Sequence, residues 1–295
     1  MAFKIITDSA SDTPQWIVDK YDMLLMPTPV VINGEDHFDR LDIFPEQFYD
    51  TLRSDAVIST YHISEQMFYD HFKPYAERGD EVLYLCFSTG IAGTFTAATL
   101  AYQDLLEEFP EFKMTIIDTR CASMGYGLSA YKLLRMQANG APKELLIEAA
   151  KFFCEHTEHS VTVETLAYLL KGGRISKTSA TFGTILGIKP IIMVDKEGRL
   201  TAIEKVRGRK ASLERILDRT GEVGARLEDQ IVAVVHGDDP ETAEFLKKEL
   251  IDRYHCREVV IAEIGCAIGA HTGPGIVGIV CQTALDDRFE QYLKD

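Results

Sequence analysis

The chain has 295 residues, 46% of them hydrophobic and 26% charged, which is enough for a sizeable core and comfortable for two domains. A net charge of −15 argues against a general nucleic-acid binder, and no apolar run approaches the length of a membrane span. With no signal-peptide layout at Met1-Ala-Phe-Lys, the expectation is a soluble cytoplasmic protein without stable membrane insertion.

The elements alternate along the first half. Lys4–Thr7 is a short apolar strand ending in Asp8-Ser9, and Met23–Ile32 reads extended, broken by Pro27 and Pro29. Pro45 suits the first turn of a helix, and Ser64 suits the N-cap of a helix carrying Phe68 and Phe72. Val82–Phe87 predicts a buried strand leading through Ser88-Thr-Gly90 into a helix over Thr94–Glu108. A strand at Met114–Ile117 and helices around Gly127–Ala138 and Lys143–Cys154 complete this half.

The second half starts near Glu158. Strands are expected at Ser160–Val163, Ile231–Val235, Val259–Glu263 and Ile276–Cys281, with a hairpin of Pro190–Val194 and Leu200–Val206. Helices are expected at Ser212–Asp218 and from His236-Gly-Asp-Asp-Pro to Arg253. Strands alternating with helices, and continuous apolar strand runs, predict an α/β fold: two α/β domains, 1–158 and 159–295, with largely parallel sheets and ligands beyond the C-terminal strand ends.

Charge is uneven. Lys171–Arg215 holds eleven Lys and Arg against four acids, about +7, which leaves about −22 for the remainder. Such an island suits one anionic ligand or partner, or simply a solvated hairpin and helix. The six cysteines are not spaced as C-x-x-C and read as buried free thiols rather than a metal or disulfide framework.

Three segments carry candidate chemistry. Ser88-Thr-Gly-Ile-Ala-Gly-Thr94 is a small-residue turn into a helix, able to hold a carboxylate or phosphate or to be only a tight turn. Ser59 and Thr60 place hydroxyls just before the Ser64-capped helix. Gly265–Gly275 reads as a glycine loop in which His271 has no core to satisfy and faces a ligand. The other histidines are weaker. His156 and His159 lack further ligands, and His37, His62, His71 and His255 read as solvated or boundary residues. No nucleotide-binding loop or G-x-S-x-G nucleophile elbow is present, which favours a binding protein over an enzyme.

Assembled, these residues resemble the DegV family, including the fatty-acid-binding subunits of bacterial fatty acid kinase. The resemblance rests on Thr7-Asp8-Ser9, Thr60–Ser64 with Phe68, Ser88–Thr94, Leu169-Leu-Lys-Gly-Gly-Arg-Ile-Ser176 and Ile188-Lys-Pro-Ile191. Gly198-Arg-Leu, Glu204-Lys-Val-Arg207 and Gly269–Gly275 extend it across essentially the whole chain. It implies an apolar tunnel for one long-chain fatty acid, no cofactor, and an ATP-dependent kinase subunit as partner. By the same resemblance Thr60, Ala92, Gly93, Thr94 and His271, with Ser88 and Ser59, form the carboxylate site, while Arg207 and Arg174 face the kinase and its phosphate. The family usually carries Ser where this chain has Ala92, so Thr94, Thr89 or a backbone N–H would substitute. The rival readings are a phosphotransferase or acyl hydrolase using His271 with Ser88 or Asp8, and a binder of another small amphiphile.

Overall fold

A computed structural model describes residues 2–175 and 187–294, so Ser176 and Lys177 lie outside the described residues. The chain opens with β1 (Phe3–Asp8), α1 (Gln15–Tyr21) and β2 (Leu25–Met26). A small antiparallel sheet follows, made of β3 (Pro29–Ile32), β4 (Glu35–Phe38) and, after α2 (Pro45–Leu52), β5 (Ile58–Thr60). Then come α3 (Glu65–Arg78), β6 (Glu81–Cys86), α4 (Thr94–Glu108), β7 (Lys113–Asp118), α5 (Met124–Ala138) and α6 (Lys143–Glu155). Strands β2-β1-β6-β7, in that order, form a sheet in which every pairing is parallel. Strand β6, inside this sheet, is buried on both faces, as its continuous apolar run requires.

The second half contains β8 (Thr157–Thr162), α7 (Ala167–Lys171), β9 (Ile188–Val194), β10 (Leu200–Arg207), α8 (Arg209–Val223) and β11 (Ile231–His236). It ends with α9 (Pro240–Tyr254), β12 (Glu258–Glu263), α10 (Cys266–Thr272), β13 (Val277–Gln282) and α11 (Asp287–Glu290). Its sheet runs β10-β9-β8-β13-β11-β12. Here the expectation of a largely parallel sheet is corrected. Only β11 and β12 pair in parallel, whereas β13 enters antiparallel to both β11 and β8, and β9 is antiparallel to β8 and β10. Apolar continuity along a strand records burial on two faces, and it is silent about direction.

Local signals act as their chemistry dictates. The Ser64 hydroxyl accepts the Met67 N–H at the start of α3, and Asp239 accepts the Thr242 N–H at the start of α9, where Pro240 fills the first turn. The chain crosses from one sheet to the other between α6 and β8. Helix α5 packs against strands of both sheets, and one apolar core runs from Ile5 and Leu83 across α5 to Val235 and Val280. All six cysteines are buried and free among the described residues.

A segment read as a glycine loop is helical. Cys266–Thr272 forms α10, and its glycines answer to neighbours from the first half. A Cβ at Gly265 would lie 2.7 Å from the Asp39 carboxylate, and one at Gly269 would lie 2.8 Å from the Tyr49 hydroxyl.

Candidate functional site

A cavity open at one mouth is lined by residues of both sheets. Most of its wall is apolar. Phe87 and Ile91 come from the first half, and Val161, Ile192, Val235 and Val280 from the second. Polar side chains gather at one end. There Thr60, at the end of β5, meets His271 of α10, with Oγ1 and Nε2 2.6 Å apart. This contact joins the two halves of the chain across the mouth.

His271 is held neutral. Burial, and then the positive charge of Arg174, push its pKa down to about 4. Its Nδ1 is buried without a hydrogen-bond partner, and its ring fills the space that a side chain on Gly172 would need. A neutral imidazole can donate one N–H to an anion and supply no charge of its own.

The turn into α4 completes the mouth. Ala92 and Thr94 line the cavity, and Gly93 is the N-cap of α4 with no side chain capping the helix. The first N–H groups of α4 begin at this lining without a side-chain acceptor, an arrangement suited to an oxyanion.

Other expected site residues sit elsewhere. The Ser88 hydroxyl donates to the Gly198 carbonyl at 2.7 Å, on the tip of the β9–β10 hairpin, and does not line the cavity. Gly90 abuts the same tip, and Arg120 donates to the Lys196 carbonyl. Ser59 points to solvent on β5, as alternation beside the inward Thr60 requires. Arg174 lines the cavity and also donates to the Gly172 carbonyl at 2.6 Å. Arg207 is exposed at the end of β10, in a shallow groove with Lys210, Glu214 and Arg215. The basic island is partly neutralised, since Arg215 pairs with Glu204 and Glu222, Arg209 with Asp239, and Lys189 with Glu164.

His62 and Tyr61 line the mouth, with the His62 ring 3.4 Å from where a Gly93 Cβ would lie; His62, read as solvated or boundary, is exposed there. Sequence reasoning missed the group that holds α10 in place. Asp12 accepts the Gly265 N–H at 2.7 Å and the Ser123 hydroxyl; Asp39 accepts the Cys266 N–H at 3.0 Å, the Ala267 N–H at 3.4 Å and the Ser9 hydroxyl. Both carboxylates are fully buried. Burial pushes the Asp12 pKa up to about 7 and raises that of Asp39, against the lowering effect of nearby Arg40. Asp8, raised by burial to about 6, accepts the hydroxyls of Tyr84 and Tyr126 at 2.8 and 2.6 Å. Among the described residues no group of three His, Cys, Asp or Glu could hold a metal ion, and no helix is long and apolar enough to cross a membrane.

An α/β scaffold with an apolar cavity and a polar mouth shared between its halves defines a class of small-molecule-binding proteins. The DegV family model, described as "uncharacterised protein, DegV family", matches residues 2–284. The chain belongs to the DegV family. A DegV domain-containing protein of Clostridium perfringens is 32% identical over 279 residues, spanning 94% of this chain and 96% of the relative. Among solved structures, a DegV family protein of Thermus thermophilus described by its fatty acid binding is 29% identical with a TM-score of 0.84, covering 95% of this chain and 99% of its own. A stearic acid-binding protein of Eubacterium ventriosum is 25% identical with a TM-score of 0.85, covering 95% and 98%.

Proposed function

We propose that this chain binds a long-chain fatty acid in the cavity and presents its carboxyl group to an ATP-dependent kinase subunit. The observation that carries the reading is the partition of the cavity: an apolar wall drawn from both sheets, and a mouth where Thr60, His271, Thr94 and the open end of α4 converge. An acyl tail gains about 0.8 kcal/mol per buried CH₂, so a long tail alone supplies strong binding. The carboxylate is costly to bury unless several donors meet it. The Thr60 hydroxyl, the His271 imidazole and the first N–H groups of α4 are the donors at hand, and the hydroxyl of Thr94 joins them. The fatty acid binding named for the Thermus protein and the stearic acid named for the Eubacterium protein support the same choice of ligand.

The chain would act as a carrier, with the kinase bringing ATP and moving the phosphoryl group onto the carboxylate oxygen. Arg174 at the mouth and exposed Arg207 are the cations this reading assigns to the phosphate and the docking face. The hydrolase alternative loses Ser88 as a nucleophile, because that hydroxyl donates to Gly198 and lies outside the cavity, and its other candidate, Asp8, accepts the hydroxyls of Tyr84 and Tyr126.

The test is mass spectrometry of organic extracts from protein purified under native conditions. A stoichiometric fatty acid is the expected result. Protein that carries no lipid and also fails to bind added fatty acids overturns the proposal.

A further inference from the structure

The polar side chains of the mouth differ in whether they are already engaged. Thr60 and His271 bond each other, Arg174 donates to the Gly172 carbonyl, and the Tyr61 hydroxyl lies beside the Asp36 carboxylate of β4. His62 is different. It lines the cavity and is exposed, and among the described residues its ring has no hydrogen-bond or ion-pair partner.

The ring is nevertheless placed. Thr60 and His62 stand two residues apart where β5 gives way to the loop before α3, and they reach different walls of the mouth. Thr60 meets α10 through His271, whereas His62 crosses to the start of α4. Its atoms nearest to where a Gly93 Cβ would lie are Cε1, Nδ1 and Nε2, at 3.4, 3.6 and 3.7 Å. The side chain therefore meets α4 tip first, with both ring nitrogens beside the N-cap of a helix that has no side-chain cap. An imidazole carries at least one N–H in either protonation state, so it is always able to donate. A carboxylate has two oxygens and accepts at each of them. The buried pair of Thr60 and His271 serves one oxygen from within the protein, and His62 stands on the solvent side, where the other oxygen emerges toward a partner.

We propose that His62 is a head-group residue whose imidazole N–H donates to the outer carboxylate oxygen, so that the mouth selects a free carboxylate over an esterified one. This rests on the fatty-acid reading of the cavity and adds the residue that sets its head-group specificity. A hydrogen bond to an ionised acceptor is about twice as strong as one to a neutral acceptor, which is why the ester gains less from the same ring.

The experiment measures displacement of a fluorescent fatty acid from delipidated protein by palmitate and by methyl palmitate, in the native chain, His62→Phe and His62→Gln. Phenylalanine keeps a ring at the rim and loses the N–H, and because His62 is exposed neither change removes a core contact. The native chain should prefer the acid. In His62→Phe palmitate should loosen by about three- to tenfold, the worth of one net hydrogen bond, while methyl palmitate changes by less than about twofold. His62→Gln keeps an N–H and should restore most of the lost preference. An unchanged ratio of acid to ester in His62→Phe, an equal loosening of both, or a glutamine form no better than the phenylalanine form overturns this inference alone. So does a native chain that binds acid and ester equally. A native chain that binds neither overturns the fatty-acid reading and this inference with it.

Discussion

Helix α10 meets the first half of the chain at both its ends, by different chemistry. At its N-terminal end the buried carboxylates of Asp12 and Asp39 accept three backbone N–H groups, from Gly265, Cys266 and Ala267. At its C-terminal end the contact is one hydrogen bond between His271 and Thr60, at the rim of a cavity. The first end is over-determined and closed. The second is a single neutral pair with open donors beside it, free to exchange its partner for a ligand. Substitutions at the first end should therefore register as stability, and those at the second as affinity.

The largest effect is expected at the closed end. Asp39→Ala removes the acceptor of the Cys266 and Ala267 N–H groups and of the Ser9 hydroxyl. Each buried donor left unsatisfied costs about 1–3 kcal/mol, so the loss should reach roughly 3–5 kcal/mol in urea unfolding. A loss below 1 kcal/mol would mean that the clamp does not hold α10.

The next effect is a dependence on pH. The folded-state pKa of Asp12 is raised to about 7 from an ordinary 3.8, so the folded form holds its proton more tightly than the unfolded chain. The resulting stabilisation is fully present below about pH 4 and is lost as pH rises through about 7. A rise of about three pH units corresponds to about 4 kcal/mol at most, and Asp8, raised to about 6, adds in the same direction. Asp12→Asn keeps an oxygen for the Gly265 N–H and should flatten the fall between pH 5 and pH 8. Urea titrations at those two pH values decide it: an undiminished slope in the variant would clear Asp12 of the effect.

The contrast between the two ends of α10 also marks how far the sequence could be read. The α/β class, the caps at Ser64 and Asp239 and the β9–β10 hairpin were legible, because each depends on residues close in the chain. The helical state of Cys266–Thr272 was not. Its glycines look like loop residues, and the reason for them lies in Asp39, Phe48 and Tyr49, more than two hundred positions away. Strand direction in the second sheet was lost for a related reason, since burial on both faces erases alternation without fixing polarity. Within the Ser88–Thr94 turn the sequence could not divide the labour: the Ser88 hydroxyl goes to the carbonyl of Gly198, while Ala92 and Thr94 line the cavity.

At the open end the changes should be smaller and confined to ligand. Thr60→Val removes one donor from the proposed carboxylate site and the partner of His271 at little cost in volume. It should weaken fatty acid binding by about tenfold, with the urea midpoint nearly unchanged. Displacement of a fluorescent fatty acid measures the first and unfolding the second. Equal affinity for native and variant chains would remove Thr60 from the site.

The smallest expected effect is a gain. Ala92 lines the mouth beside Thr94 and the open N-terminus of α4, and a methyl group there cannot meet a carboxylate. Ala92→Ser adds one donor to the lining of the mouth. A net hydrogen bond is worth about 0.5–1.5 kcal/mol, so the fatty acid should bind roughly two- to tenfold more tightly. The same acid as its methyl ester carries no charge and should gain less, which separates a carboxylate contact from a general change in the mouth. If acid and ester tighten equally, the new hydroxyl acts by reshaping the rim. If the acid weakens, the head group sits on the other side of the mouth, toward His62 and Arg174.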